Sequence, residues 1–218
     1  MSPNQLMNLP SASERPRLPR FSSLAVANAF LAMARAEGAP ALSPRKLHDL
    51  VYVAQGVHLA DSGASLLRDS LMAERDGVYA GDLREAGCWG AHAVTEAVSC
   101  VRMDEQRGQL REITPRIPPH LPVCKLLARV WRVWGPVPEF DLHDFTREHG
   151  APWDLIWNDE DRPDDDAQAL PNGTLRVWFR EYIARRPAPT PHPRGSSQPA
   201  VRTQRMLARP DPERLRVV

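Results

Sequence analysis

The stretch 43–63 constrains the fold of this chain more than any other, because it predicts one long amphipathic helix. Ser43 can cap the free amides, and Pro44 stands at the first helical position, where its missing amide costs nothing. Gly63 then marks the end of the helix. The apolar face consists of Leu47, Leu50, Val51, Ala54 and His58, at helical spacing. We interpret His58 as a hydrogen-bonded core histidine, since no partner for a ligand or catalytic role follows at a suitable spacing.

The same periodicity predicts four further helices before and after this one. They cover residues 22–37, 120–134 and 139–149, and a last helix begins at 172–174. The residues expected to point inward from the third of these helices are Phe140, Leu142 and Phe145. Each helix needs a neighbour for its apolar face, which favours a helical domain with one shared core.

The middle of the chain gives a weaker pattern. Residues 64–78 fit either a short helix or an extended pair that turns at 76–77, and a short helix can follow over 79–86. Residues 88–117 show weak periodicity and resemble a loop. The predicted fold is therefore mainly α, a compact single-domain bundle of about five to seven short helices. A small extended or β element near residues 64–78 and 90–117 is left open.

Proline and charge divide the chain into three parts. Its 22 prolines gather toward both ends, which predicts a helical domain over 21–185, a disordered tail over 1–20 and a Pro/Arg-rich, disordered basic tail over 186–218. The net charge of +1 combines +2 for residues 1–20 and +6 for 185–218, and this leaves −7 for 21–184. An acidic centre does not suit a phosphate-binding surface, so we expect no nucleic-acid partner.

The sequence also bears on location. No apolar run approaches the roughly 20 residues that span a bilayer, so no membrane association is expected. Residues 1–20 contain no apolar segment of the kind found in Sec-type signal peptides. We expect a cytoplasmic protein. Because the N-terminus is rich in Ser and Pro, secretion without a Sec-type signal is the alternative.

Catalytic and metal-binding motifs are missing from the sequence. The three cysteines, Cys88, Cys100 and Cys124, are too few and too widely spaced for a disulfide scaffold or a zinc knuckle. None of the seven histidines stands at a metal-ligand spacing, and no glycine-rich phosphate loop or nucleophile motif is present. We therefore expect no cofactor, no catalytic residues and no enzymatic activity.

The predicted helix at 43–63 carries a motif that resembles the Panacea-domain family. After the Ser cap it has Lys46-Leu47, then Leu50 and Tyr52, then Gln55 within an Ala-Gln-Gly triplet. The family pattern is similar: a Thr or Ser opens a helix with K-L, then L-x-Y, then A-Q-G. The resemblance covers roughly residues 21–184.

Later elements extend the resemblance and also depart from it. Leu142, Thr146 and the pair Pro152-Trp153 are similar to the family's late L-x-x-x-T-H and P-W elements. The His that follows the Thr in the family is here Arg147.

A second departure concerns the family's Gly-Pro-Val turn. At the matching place this chain has Gly77, Val78 and Tyr79 after an Asp, so the proline is lost. Either departure suits a divergent branch with another partner or purpose.

The resemblance implies an antitoxin-like protein. The family includes SocA-like antitoxins and GepA-like phage-associated proteins. Such proteins belong to toxin–antitoxin systems, in which they neutralise a toxin by direct contact or deliver it, as proteolytic adaptors, to an ATP-dependent protease. Two alternatives are a secreted bacterial effector built on the same scaffold and an enzyme whose site is assembled across helices without a local motif.

The predicted partner site combines two segments outside the predicted core stripes. The residues assigned to it are Gly77, Val78, Tyr79, Thr146, Arg147, Pro152 and Trp153. We expect Tyr79 and Trp153 to be its aromatic anchors and Arg147 their charged neighbour, because such residues dominate binding energies. Lys46 and Tyr52 are open to two interpretations. Either they are structural, with Tyr52 bonding a loop carbonyl and Lys46 bracing an acid, or they face the partner.

Overall fold

The computed structural model describes residues 18–105, 107–160 and 167–185. The helices in these ranges are α1 (Ser23–Ala36), α2 (Pro44–Ser62), α3 (Gly81–Glu85), α4 (Val123–Trp134), α5 (Glu139–Thr146), α6 (Pro152–Trp157) and α7 (Asn172–Arg185). The strands are β1 (Leu71–Glu74), β2 (Gly77–Ala80), β3 (Cys100–Asp104), β4 (Gln109–Ile113) and β5 (Gln168–Ala169). More of the structure is helical than extended, but the strands make it a mixed fold and not a purely helical bundle.

Helix α2 lies at the centre of the domain. It contacts α1, α4, α5 and α7 as well as β2, and most of its residues are buried. The Ser43 hydroxyl accepts a hydrogen bond from the Lys46 amide at 3.0 Å, and Gly63 ends the helix in the left-handed conformation. Both predicted boundaries are therefore confirmed. Since neighbours surround the helix, its polar residues are also buried and must find partners inside the protein.

Two separate antiparallel sheets accompany the helices. Strand β1 pairs with β2 on one side and with β5 on the other. Strands β3 and β4 form a second, two-stranded sheet. Of the two structures left open for residues 64–78, the extended pair is the one observed, and a sheet also occupies part of 88–117.

The predicted helices are present, but α4 begins at Val123 where 120 was expected, and α5 ends at Thr146 where 149 was expected. The five predicted helices exist as α1, α2, α4, α5 and α7. The helix expected over 79–86 begins only at Gly81, because residues 77–80 pair with β1. The predicted tails, apart from residues 18–20, lie outside the described residues. Within the described ranges, no helix is long and apolar enough to cross a membrane.

Candidate partner-binding groove

The two segments of the predicted site meet in the structure. The Trp153 indole nitrogen donates a hydrogen bond to the Glu74 carbonyl at 2.8 Å, which ties α6 to the end of β1. A Cβ atom placed on Gly77 would come within 2.6 Å of the His143 ring of α5, and Gly77 has φ of 128°. Because both the backbone conformation and the close approach exclude larger residues, Gly77 lets the β1–β2 hairpin lie against α5.

Most of the predicted contact residues are nevertheless buried. Only 4% of the Trp153 surface is exposed, so the prediction that it is an accessible anchor is wrong. Its ring lies beneath the Arg147 guanidinium, 4.2 Å from the ring centroid. The physical reason is that residues 152–157 form α6, which packs on β1, where we expected an open turn. The other predicted contact residues that are buried are Gly77, Val78, Thr146 and Pro152.

The motif residues Lys46 and Tyr52 have structural roles. The Lys46 ammonium group donates hydrogen bonds to the carbonyls of Gly135 and Val137, at 2.7 and 2.8 Å, and so braces the turn after α4. An acid is also near, since the charge of Glu139 opposes the lowering of the Lys46 pKa by burial, but within the described residues the two groups form no salt bridge. Tyr52 is fully buried with its ring against Phe179, but among the described residues its hydroxyl has no hydrogen-bond partner. The predicted bond to a loop carbonyl is therefore wrong.

Gln55 holds the segment after α2 in place. Its side-chain oxygen accepts hydrogen bonds from the amides of Leu66 and Leu67, at 3.0 and 3.1 Å. Its amide nitrogen donates to Ser65 at 3.0 Å and to Asn172, the first residue of α7, at 2.7 Å. One buried side chain therefore satisfies four polar groups. Leu47 and Leu50 of the same motif are fully buried in the core.

His58 lies on the predicted apolar face of α2, but its surroundings differ from the prediction. This residue is half-buried, and within the described residues its Nε2 atom is buried without a hydrogen-bond partner. The prediction of a hydrogen-bonded core histidine is wrong for this atom. Burial lowers the pKa of His58, because the charged imidazolium loses its hydration there.

A cluster of charged groups lies beneath the β1–β2 hairpin. The buried Asp49 carboxylate lies 3.5 Å from His143 Nδ1 and 3.4 Å from the Thr146 hydroxyl, whose shorter hydrogen bond goes to the His143 carbonyl at 2.8 Å. Arg147 approaches Nε2 of the same imidazole at 3.3 Å, and one Arg45 nitrogen lies 3.2 Å from Nε2 and 3.4 Å from Nδ1. Because guanidinium nitrogens only donate, Nε2 is the acceptor, and we assign the ring proton to Nδ1, facing Asp49. Burial raises the pKa of Asp49, although His143 and Arg45 oppose this effect.

Next to this cluster an open groove of about 820 Å³ lies between the start of α2 and the segment after α3. Its lining residues are Pro44, Arg45, His48, Asp76, Tyr79, Arg84, Glu85, Trp89, Gly90 and Ala91. The Arg84 guanidinium lies 4.7 Å above the Tyr79 ring centroid, and it also pairs with Glu74. Trp89 is 65% exposed. The groove therefore combines an exposed aromatic ring, Trp89, and a half-buried one, Tyr79, with arginine.

His48 fixes the floor of this groove. Its Nδ1 atom accepts a hydrogen bond from the Ala80 amide at 3.0 Å, so Nε2 carries the proton and donates to the Cys88 carbonyl at 2.9 Å. These bonds join the end of β2 to the segment that carries Trp89. Burial lowers the pKa of His48 to about 4, so the neutral ring is the form that holds the two walls together.

Tyr79 is the predicted anchor that lies in this groove, and Trp89 is one that the sequence-based reasoning missed. Arg147 is half-buried and lines a neighbouring hollow with Trp153. A signal for Trp89 does exist, since it stands in a stretch without core periodicity, between Gly87 and Gly90. Both glycines have left-handed backbones, which suits a tryptophan carried on a turn.

No protein-family model matches the chain, and neither curated proteins nor solved structures give a match. Within the described residues, no group of three or more His, Cys, Asp or Glu side chains could hold a metal ion.

Proposed function

We propose that this protein is a Panacea-type binding module, an antitoxin-like protein that neutralises a toxin by direct contact or presents it to a protease. The likeness to the family rests on the motif in α2 and on the late Thr and Pro-Trp elements. The motif residues Lys46, Tyr52 and Gln55 all serve the packing of α2 against its neighbours. Because these motif residues are used for packing, the choice of partner depends on the surface residues around the motif.

The groove at Tyr79 and Trp89 is the observation that carries this proposal. Tyr, Trp and Arg are the residue types that contribute most to protein–protein binding energies. Arg45, Arg84, Asp76 and Glu85 all line this groove, so the aromatic rings have charges of both signs around them. This combination is typical of an interface with an apolar centre and a polar rim.

Pre-organisation of the groove supports the same conclusion. His48 clamps both walls by hydrogen bonds, and Gly77 allows the hairpin to seat against α5. A surface that is already ordered loses less conformational entropy when a partner binds. We therefore expect the partner to meet this groove with little backbone rearrangement.

The charged cluster does not favour the enzyme alternative. A catalytic Asp–His pair needs an imidazole nitrogen that can accept a proton from a substrate. Here Nε2 of His143 already faces two guanidinium groups, from Arg45 and Arg147. The cluster is better suited to holding α5 against α2. The effector alternative depends on the N-terminal segment, most of which lies outside the described residues.

The test begins with co-expression of this chain with each neighbouring gene, scored by growth rescue and co-purification. Affinity for the partner found in this way is then measured for Trp89→Ala and Tyr79→Ala. We expect each variant to lose roughly 2 kcal/mol of binding, about thirtyfold in Kd. Trp89→Ala should keep its folding free energy within about 0.5 kcal/mol, because the side chain is mostly exposed.

Two control variants separate binding from folding. Phe140 is 81% exposed and does not line the groove, so Phe140→Ala should change neither quantity. Trp153→Ala should lose about 3–5 kcal/mol of folding free energy, since the indole is buried and hydrogen-bonded. Unchanged partner affinity in both Trp89→Ala and Tyr79→Ala would exclude the groove as the binding site.

A further inference from the structure

The sheet of β3 and β4 forms a ribbon with one uncovered apolar face. The register pairs Val101 with Glu112 and Met103 with Leu110, so these four side chains point to the same side. Val101, Met103 and Leu110 are 63%, 57% and 70% exposed. A two-stranded sheet that packs on nothing is only marginally stable in water, so an apolar face left open on it indicates a surface for a partner.

The base of the ribbon is nevertheless firmly held. The Asn28 side chain of α1 accepts a hydrogen bond from the Val98 amide at 2.8 Å and donates to the carbonyls of Val98 and Pro115, each at 2.9 Å. The hydroxyls of Ser99 and Thr114 bond to each other at 2.8 Å. These contacts clamp both strands where they leave the core. The ribbon therefore has a fixed position on the domain before any partner binds.

The two long edges of the ribbon differ in exposure. Strand β3 lies beside α3, and its Arg102 forms a salt bridge with Asp82 at 3.1 Å. Among the described residues β3 and β4 pair only with each other, and the exposed residues are the middle three of β3 but all five of β4. The backbone N–H and C=O groups on its outer side are therefore open to a further strand.

The charge on β4 indicates which kind of strand can pair with its outer edge. Arg111 stands directly opposite Arg102, and like charges opposite each other destabilise a sheet. Arg102 is neutralised by Asp82, whereas Arg111 forms no salt bridge within the described residues. An acidic side chain on a strand added beyond β4 would lie next to Arg111 and neutralise it.

The same charges disfavour the pairing of β4 with β4 of a second copy of this chain. An antiparallel two-fold pairing centred on Arg111 opposes two arginines, and one centred on Glu112 opposes two glutamates. A pairing centred on Leu110 leaves Arg111 facing Gln109, without an acid. The chain's own segment 186–218 carries seven arginines against two acidic residues, so it would repel Arg111.

We propose that the outer edge of β4 binds an extended segment of another protein by strand addition. The segment has an acidic residue opposite Arg111 and an apolar residue opposite Leu110. Main-chain hydrogen bonds supply affinity, and the alternating side chains supply specificity. This surface is separate from the groove at Tyr79 and Trp89, so the proposal does not depend on the function assigned to the groove.

The test uses the full chain and two blocked peptides, Thr-Val-Glu-Val-Thr and Thr-Val-Lys-Val-Thr, titrated to millimolar concentration and followed by amide NMR. We expect the Glu peptide to shift the β4 amides and to slow hydrogen exchange at alternate positions. It should bind about five- to tenfold more tightly than the Lys peptide. In Arg111→Glu the preference should reverse, and in Arg111→Gln it should disappear.

Arg107→Glu is the matched control, because it makes the same charge change on an exposed residue of the β3–β4 turn. It should leave the preference for the Glu peptide unchanged. Shifts outside β4, or no shift with either peptide, would overturn the proposal. Equal affinity for the Glu and Lys peptides would also overturn it. Concentration-dependent dimers that protect the β4 amides would replace the proposed partner with a second copy. Trp89→Ala should not affect peptide binding.

Discussion

Acidification should destabilise this protein through His48. Both ring nitrogens have hydrogen bonds that require the neutral form: Nδ1 accepts from the Ala80 amide and Nε2 donates to the Cys88 carbonyl. A second ring proton would point at the Ala80 amide, which is itself a donor. Burial is the main cause of the low pKa, and the positive charges of Arg84 and Arg45 add to it.

The size and sign of the effect follow from the two pKa values. The pKa of His48 is about 4 in the folded protein, compared with an ordinary value of 6.5. Between these values the unfolded chain binds a proton that the folded protein does not. The contribution of His48 is therefore fully present above pH 6.5 and is lost as the pH falls toward 4. At roughly 1.4 kcal/mol for each pKa unit, the loss amounts to about 3 kcal/mol.

Urea unfolding followed by circular dichroism between pH 7 and pH 4.5 measures this loss. His48→Gln cannot titrate, so it should be less stable than the unmodified protein at pH 7 and should lose less stability on acidification. His120→Gln changes an exposed histidine and should follow the unmodified protein. Asp49, whose pKa burial raises, contributes with the opposite sign, but it is present in every variant and cancels in the comparison. Parallel pH profiles for His48→Gln and the unmodified protein would refute the reasoning.

Two further variants test the packing of α2. Gly56→Ala places a Cβ inside the Phe179 ring and should cost about 1–3 kcal/mol in urea unfolding, whereas Gly173→Ala meets nothing within 4 Å and should be neutral or slightly stabilising. A neutral Gly56→Ala would show that α7 can move away from α2. Lys46→Met removes two hydrogen bonds to the turn after α4 and should cost roughly 1.5–3 kcal/mol. Lys125→Met, at an exposed position, should leave stability unchanged within about 0.5 kcal/mol, and equal losses in both lysine variants would contradict the bracing role.

Helix positions could be predicted from the sequence because their signals are local. The cap at Ser43, the stop at Gly63 and the apolar spacing between them lie within one stretch of chain, and the structure reproduces them. The ribbon of β3 and β4 could only be left open as a possible extended element near 90–117, for the opposite reason. Its residues are largely exposed, so no buried face imposes an alternating apolar pattern on the sequence.

Burial was harder to predict, because periodicity shows which residues share a face and not what covers that face. Phe140 was expected to point inward with Leu142, yet it is exposed while Leu142 is buried. Phe140 and Leu142 are two positions apart, about 200° around a helix, so they lie on opposite faces of α5. Trp153 was expected at the surface, but α6 packs its ring against β1.

The sequence by itself therefore determined the five longer helices, the ends of α2 and much of the apolar face of α2. The tertiary structure alone decided which polar residues meet. Arg45 and His143 are 98 positions apart, yet their side chains are in contact. Tyr79 and Trp89 line one groove because His48, from a third segment, bonds to the backbone next to each of them. Contacts of this kind depend on how elements pack across the core, and no local spacing in the chain encodes them.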